Sequence, residues 1–242
     1  MRAVWVLSRL TLKEIFRKKD FYVALILIAV SLVYASQLQF YNLKHIVRYL
    51  MEIGLTLIFF ISVFLTISLA ARQVPSEIQD RTSQVLMAKP IRRFEFVLGK
   101  FLGSLLGGSA AFFIFYLIFI LIVKTKAESF STQMAGQTLY LFLLNLVVVS
   151  AMASGFSYYL TLGANVSVSM ILYLLMDTYG PNLKGGAAYF LPHFEFFDLR
   201  QRFIHGWPPV SMHLVGFLTA YALVYSTLFL TLGWLKFRKQ PL

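Results

Sequence analysis

Cysteine is absent from the chain, which excludes disulfides, thiolate metal sites and cysteine nucleophiles. Charge is scarce: only 13% of the 242 residues are Asp, Glu, Lys or Arg, roughly half the share in a soluble domain. Acidic side chains are the scarcest, 10 against 22 basic ones, leaving a formal charge of +12. The four histidines, His45, His193, His205 and His213, are scattered, and no two share the i, i+4 spacing that builds a metal face. No Gly-x-Ser-x-Gly nucleophile turn occurs. The one Gly-Lys pair of interest, Gly99–Lys100, is followed by Phe101 and preceded five positions earlier by Phe94. A phosphate-cradling loop needs Gly there and Ser or Thr after the lysine. The chain therefore cannot bind ATP by that route, and the expectation is no metal and no cofactor.

What is present in abundance is apolar: 59% of the residues. About 20 such residues cross a hydrocarbon core, and six stretches qualify: Phe21–Phe40, Ile53–Ala71, Phe96–Val123, Thr138–Leu162, Val166–Tyr179 and Ser211–Leu235. The fifth is short, and an uncharged turn at Gly163–Asn165 separates it from the fourth. The excess positive charge then reads as basic loops on the cytoplasmic side rather than as a nucleic-acid footprint. Six basic residues lie in the arm 1–20, six between Arg72 and Lys100 and three in the tail, fifteen on one face against seven on the other. This predicts both termini in the cytoplasm, and six spans require the termini to agree in side. "VYA" at Val33–Ala35 fits a signal-peptide cleavage pattern. The preceding basic region is longer and more amphipathic than such a signal uses, so the expectation is no cleavage.

Residues 1–20 read as an interfacial amphipathic helix. Arg9, Lys13 and Arg17 recur every fourth position, and Val4, Trp5, Leu12, Ile15 and Phe16 gather on the other side. The third span opens with Gly99, Gly103 and Gly107, then Ala111; small residues every four positions form a groove for close helix packing inside the bundle. Residues 180–210 hold Gly and Pro punctuation around an aromatic, charged core. Glu195, Asp198, Arg200 and Arg202 would be costly at mid-membrane, so one or two short helices dipping into the outer leaflet are expected.

Charges inside the spans are almost wanting: Asp177 falls at the outer end of the fifth, Glu52 and Lys100 at edges. The interior offers neutral polar groups instead, Asn145, Ser150, Ser154, Tyr158 and Thr161. An ion-coupled carrier is hard to build from these. Energy is expected from outside the chain. A membrane-embedded enzyme or assembly factor whose basic loop docks a soluble partner is the alternative.

The segment 72–95 carries a dense mix of both charge signs. Pro75 stands where a helix can begin, and Glu77 and Asp80 sit in its first turns, favourable at the positive end of the dipole. Ile78, Thr82, Val85 and Leu86 make a narrow apolar face, and Pro90 ends the helix before Arg92, Arg93 and Glu95. The expected product is a short amphipathic helix joined rigidly to two spans, able to pass movement from a docked partner into the bundle.

These residues, "EIQDRTSQVLMAKPIRRFEFVLGKFLG" (Glu77–Gly103), resemble the permeases of the type-2 ATP-binding-cassette exporters, the ABC-2 transporter family. "TLGAN" (Thr161–Asn165), "LPHFEFFDL" (Leu191–Leu199) and the helix before the first span are similar too. The resemblance implies an all-α polytopic membrane protein: six transmembrane helices, an N-terminal interfacial helix over 1–20 and outer re-entrant helices over 180–210. It implies a non-catalytic permease subunit, paired with a second permease subunit as a homo- or heterodimer in the lipid of the inner (cytoplasmic) membrane. A separate ATP-binding subunit would dock on the coupling stretch, at Glu77, Ile78, Arg81, Val85, Leu86, Pro90, Arg92 and Arg93. No nucleic-acid partner is implied.

Overall fold

The structure, a computed structural model, describes residues 2–17, 26, 30, 46–79, 93–126, 131–180 and 191–238. All regular structure among these residues is helical. The α-helices are α1 (Arg2–Arg17), α2 (Ile46–Gln79), α3 (Arg93–Lys126), α4 (Thr132–Phe156), α5 (Leu162–Tyr179), α6 (Arg200–His205) and α7 (Met212–Arg238), with a 3-10 turn at Phe194–Phe197 before α6. Four of them are long and apolar enough to cross a membrane, over Met51–Gln73, Arg93–Lys124, Thr132–Phe156 and Met212–Arg238. Of the first expected span, only Ile26 and Val30 are described, both helical and exposed. The fifth expected span corresponds to α5. Its 18 residues include Asn165, Ser169, Tyr173 and Asp177, and this polar content keeps α5 out of the strongly apolar set.

The path of the bundle follows from its aromatic contacts. Phe59 of α2 meets Phe112 of α3 edge-on, with ring centroids 5.9 Å apart, and stacks on Phe142 of α4 at 3.8 Å. Thr66 of α2 lies against Gly108 of α3, so α2 and α3 run antiparallel. Tyr116 of α3 donates its hydroxyl proton to the Ala135 carbonyl (2.8 Å), and Ser104 meets Ser150 at 3.0 Å, so α3 and α4 are antiparallel too. α2 and α4 are therefore parallel. α4 is the most enclosed of the four candidate spans and α7 the least, because α4 touches α2, α3, α5, α6 and α7 while α7 packs mainly on α4.

Several expectations change. The sequence reads a new helix beginning at Pro75, yet α2 runs through Pro75 to Gln79. Proline there removes one backbone bond, to the Ala71 carbonyl, near the end of a long helix already established by its apolar run. The turn expected at Gly163–Asn165 lies instead at residues 157–161, and α4 spans Thr132–Phe156 rather than Thr138–Leu162. Ser131 starts α4 as its N-cap, accepting from the Met134 N–H at 3.3 Å. At the other end the Ser157 hydroxyl donates to the Ser154 carbonyl (2.6 Å), and the Asn165 amide reaches back to the Ala153 carbonyl (2.9 Å). Asn165, turn-prone by type, thus sits in the first turn of α5 and ties off the preceding helix. In α1, Trp5 of the expected lipid-facing side is exposed, and among the described side chains Leu7 and Ser8 are buried.

Candidate functional site

Those of the assigned docking residues that are described, Glu77, Ile78 and Arg93, fall around one end of the bundle. Glu77 and Ile78 belong to the last turn of α2, and Arg93 is the first residue of α3. Arg81, Val85, Leu86, Pro90 and Arg92 lie outside the described residues. Arg93 does more than flank a loop. Its guanidinium donates to the carbonyls of Phe237 (3.1 Å) and Arg238 (2.6 Å), in the last turn of α7, and stands 5.8 Å over the Phe237 ring. A cation at that position satisfies carbonyls that have no partner within the helix and complements the negative end of its dipole. Phe96 stacks on Phe237 at 5.4 Å, and Phe94 meets Trp234 edge-on at 6.3 Å. The start of α3 and the end of α7 are thereby one unit.

Helix α1 packs on the same part of α3, as extensively as any helix pair in the described bundle. A Cβ at Gly99 would stand 2.6 Å from the Leu7 Cβ, so the first glycine of the stripe makes room for α1. Gly103 and Gly107 are buried as well. Lys100, expected at the edge of a span, is buried, its ammonium 5.9 Å over the Phe96 ring.

Two further close approaches were not read from the sequence. A Cβ at Gly155 would stand 2.6 Å from the Phe229 carbonyl oxygen, and one at Gly233 would stand 3.1 Å from the Gly155 Cα. The backbones of α4 and α7 touch here. Tyr158 closes the contact, 5.4 Å from Phe237 between ring centroids, and Tyr159 donates to the Leu232 carbonyl at 2.9 Å.

A polar row runs along the inward face of α5. Asn165, Ser169, Tyr173 and Asp177 recur every fourth residue, which places them on one side of a helix. Asn165 holds the Ala153 carbonyl and accepts from the Ser169 hydroxyl at 3.0 Å. Tyr173 is hydrogen-bonded to Asn145 of α4. Asp177 pairs with Arg200 at 3.4 Å, and Arg200 also pairs with Asp198 at 2.8 Å while lying 5.5 Å over the Phe59 ring. The row could have been found from the four-residue spacing of Asn, Ser, Tyr and Asp.

At the end opposite Arg93, residues 191–210 fold back beside α7. The His193 N–H donates to the Tyr221 hydroxyl (2.9 Å), and the Tyr225 hydroxyl donates to the Leu191 carbonyl (3.3 Å). Those tyrosines lie nine and thirteen residues after Met212, roughly 14 and 20 Å along α7 at 1.5 Å per residue. Phe194 is fully buried against Tyr173. Asp198 accepts from the Arg200 N–H at 2.8 Å to start α6, and Gly206, at φ 63°, ends it while the Trp207 N–H returns to the Arg202 carbonyl at 3.0 Å. The Gln137 side chain then pins the exit, donating to the Val210 carbonyl and accepting from its N–H, both at 2.8 Å. Burial pushes the Glu195 carboxyl above its ordinary range, the nearby His193 opposing it; its Oε2 crowds Gly180.

Among the described residues, no three His, Asp or Glu side chains come together as a metal cluster. The features in hand are long apolar helices, backbone-to-backbone contacts through glycine and neutral polar groups facing inward. They define a polytopic helical membrane protein. The chain belongs to the ABC-2 family of transporter proteins, whose family model matches residues 2–240. It is accordingly a membrane-spanning permease of the ABC transporter class. Comparison with curated proteins finds no match to the chain.

Proposed function

We propose that the chain is the permease subunit of an exporter driven by ATP hydrolysed on a separate ATP-binding subunit. It lies in the cytoplasmic membrane with both termini inside, six spans crossing and α1 along the interface. The partner docks on segment 72–95, with Ile78, Val85 and Leu86 as apolar anchors and Glu77, Arg81, Arg92 and Arg93 around them. A second permease subunit and lipid cover the outward faces of α5 and α7, where Ile171, Leu175, Phe217 and Val224 are exposed.

One observation carries the reading. The segment between α2 and α3 joins two helices of 34 residues each, and its far end, Arg93, holds the last turn of α7. A push delivered at the end of α2 or at Arg93 would therefore reach three helices. The test is pull-down of the ATP-binding subunit by a Leu86→Asp variant, with membrane levels measured alongside. A buried interface anchor replaced unfavourably commonly loses about 2 kcal/mol or more. Association and ATPase stimulation should therefore fall sharply while insertion is unchanged; normal binding and transport would reduce the segment to a topology loop. Sidedness is tested separately with Ser83→Cys and Ser129→Cys, in a chain that has no native thiol. An impermeant reagent added outside should label position 129 and spare position 83.

A further inference from the structure

The polar row on α5 is satisfied at three of its four levels. Asn165 and Ser169 bond each other and the Ala153 carbonyl, and Asp177 has Arg200. At Tyr173 the pairing is incomplete. Asn145, its partner, is 2% exposed, and the Asn145 Oδ1 has no hydrogen-bond partner. The amide nitrogen is thus the atom that serves Tyr173, and the oxygen is unspent. Turning the amide over exchanges the two ends and still leaves one unspent. A second group is in the same condition: Ser62 of α2 is fully buried, and its hydroxyl also lacks a partner.

The fold brings the two groups to one level. Phe59 and Phe142 stack at 3.8 Å, and the helices that carry them are parallel. Ser62 and Asn145 each follow that pair by three residues, about 4.5 Å further along, on the same helix faces. Tyr173 of α5 closes the third side through its bond to Asn145. Three helices therefore present an acceptor, a hydroxyl that can serve either way and a phenol whose own proton is not used in accepting from the Asn145 amide. That is the partner set of one buried water, which makes two to four hydrogen bonds.

We propose that a single water molecule is bound between α2, α4 and α5, donating to the Asn145 Oδ1 and bonded to the hydroxyls of Ser62 and Tyr173. It links the row on α5 to α2 and α4. Phe59 and Phe142, almost wholly buried, roof the site on one side. A hydroxyl group of transported cargo has the same chemistry, and the experiment separates the two sources.

The test uses the full chain in lipid bicelles, by reversible unfolding and by magnetisation transfer from water to the Asn145 side-chain amide in solid-state NMR. With the water present, Ser62→Ala removes one of its bonds, and the folded-to-unfolded ratio should fall about fivefold. Ser62→Ala and Tyr173→Phe combined should fall by less than the product of the single losses, because both act on one guest. Were the site dry, Ser62→Ala would delete an unsatisfied buried hydroxyl, and the ratio would hold or rise; that result overturns the proposal. The Asn145 amide should show water transfer in the chain without cargo, weakened in Ser62→Ala. A signal that is silent overturns the proposal. So does one that appears only once cargo is added, which would give the site to a cargo hydroxyl.

Discussion

The two ends of the bundle are held by different chemistry. At the Arg93 end, contacts are made by what is missing: Gly99 admits α1, and Gly155 and Gly233 let α4 and α7 touch backbones. Arg93 there reaches across to the backbone carbonyls of Phe237 and Arg238. At the Gly206 end, side chains dominate: Arg200 bridges two carboxylates, Gln137 pins Val210, Tyr116 holds the first turn of α4, and Tyr221 and Tyr225 fix the loop before α6. Close backbone packing has one steric solution and tolerates no added atom, whereas side-chain networks keep alternative partners and geometries. The first end is thus the stiffer, and it is the end to which segment 80–92 connects; the second is the more readily rearranged.

The largest effect expected from this contrast is at Gly155. A leucine there meets the Phe229 backbone, which has no rotamer to adopt, so α4 and α7 must separate, at about 3 kcal/mol or more. Gly136 lies on the same helix near the other end, with nothing within 4 Å of its missing Cβ. Gly136→Ala should be neutral or, through helix propensity, stabilising by up to about 1 kcal/mol. Thermal unfolding of the two variants in one bilayer checks this. Equal losses would erase the distinction between the ends.

Next in size is Gln137→Leu, which leaves the Val210 N–H and carbonyl without their partner at a buried site, for about 2 kcal/mol. Arg200→Met follows. It leaves Asp177 and Asp198 facing each other without a counter-charge, but all three side chains are about a fifth exposed, so about 1 kcal/mol is expected. Adding Asp177→Asn should recover part of the Arg200→Met loss. Failure to recover would place the value of Arg200 in its contact with Phe59 instead. Both variants should loosen residues 191–210 in hydrogen exchange and leave the Arg93 end protected.

The same contrast explains what could be read in the sequence. Helices α3 and α7 were legible because long apolar runs override everything local, and the expected Ser211–Leu235 span differs from α7 by a few residues at most. Punctuation misled where tertiary use overrode residue type. Pro75 did not stop α2, and Gly163 and Asn165 did not make the turn because Asn165 is spent on the Ala153 carbonyl. The face of α1 was ambiguous: apolar Trp5, Val6 and Leu10 lie around the helix from Leu7, and only the notch at Gly99 selects Leu7 and Ser8. Asn145 and Ser150 were recognised as interior polar groups, but their partners, Tyr173 and Ser104, come from other helices. No single-chain periodicity announces such a pair. Of the docking residues, Arg93 alone is described with its contacts, and its role as a cap on α7 has no local signature, since 144 positions separate Arg93 from Phe237.

A loss no larger than that at Arg200 is expected at Arg93 itself, and it is the most informative about coupling. Arg93→Ala removes two bonds to the last carbonyls of α7 and a cation from the end of its dipole, together about 1 kcal/mol. The stacked Phe96–Phe237 pair and the glycine contacts remain, so the bundle should stay folded. The last turn of α7 should fray, seen as faster amide exchange at Lys236–Arg238 with little change elsewhere. Arg93→Lys keeps the charge but not the planar fork that reaches two carbonyls, so its exchange should fall between that of the alanine variant and the native chain. Given the proposed docking, the alanine variant should still bind its ATP-binding subunit, through anchors that lie elsewhere, yet transport less per ATP hydrolysed. Unchanged exchange at the last turn would mean that packing alone holds this end. Frayed exchange with undiminished transport would mean that the push from segment 80–92 travels through α2 and α3 and does not need α7.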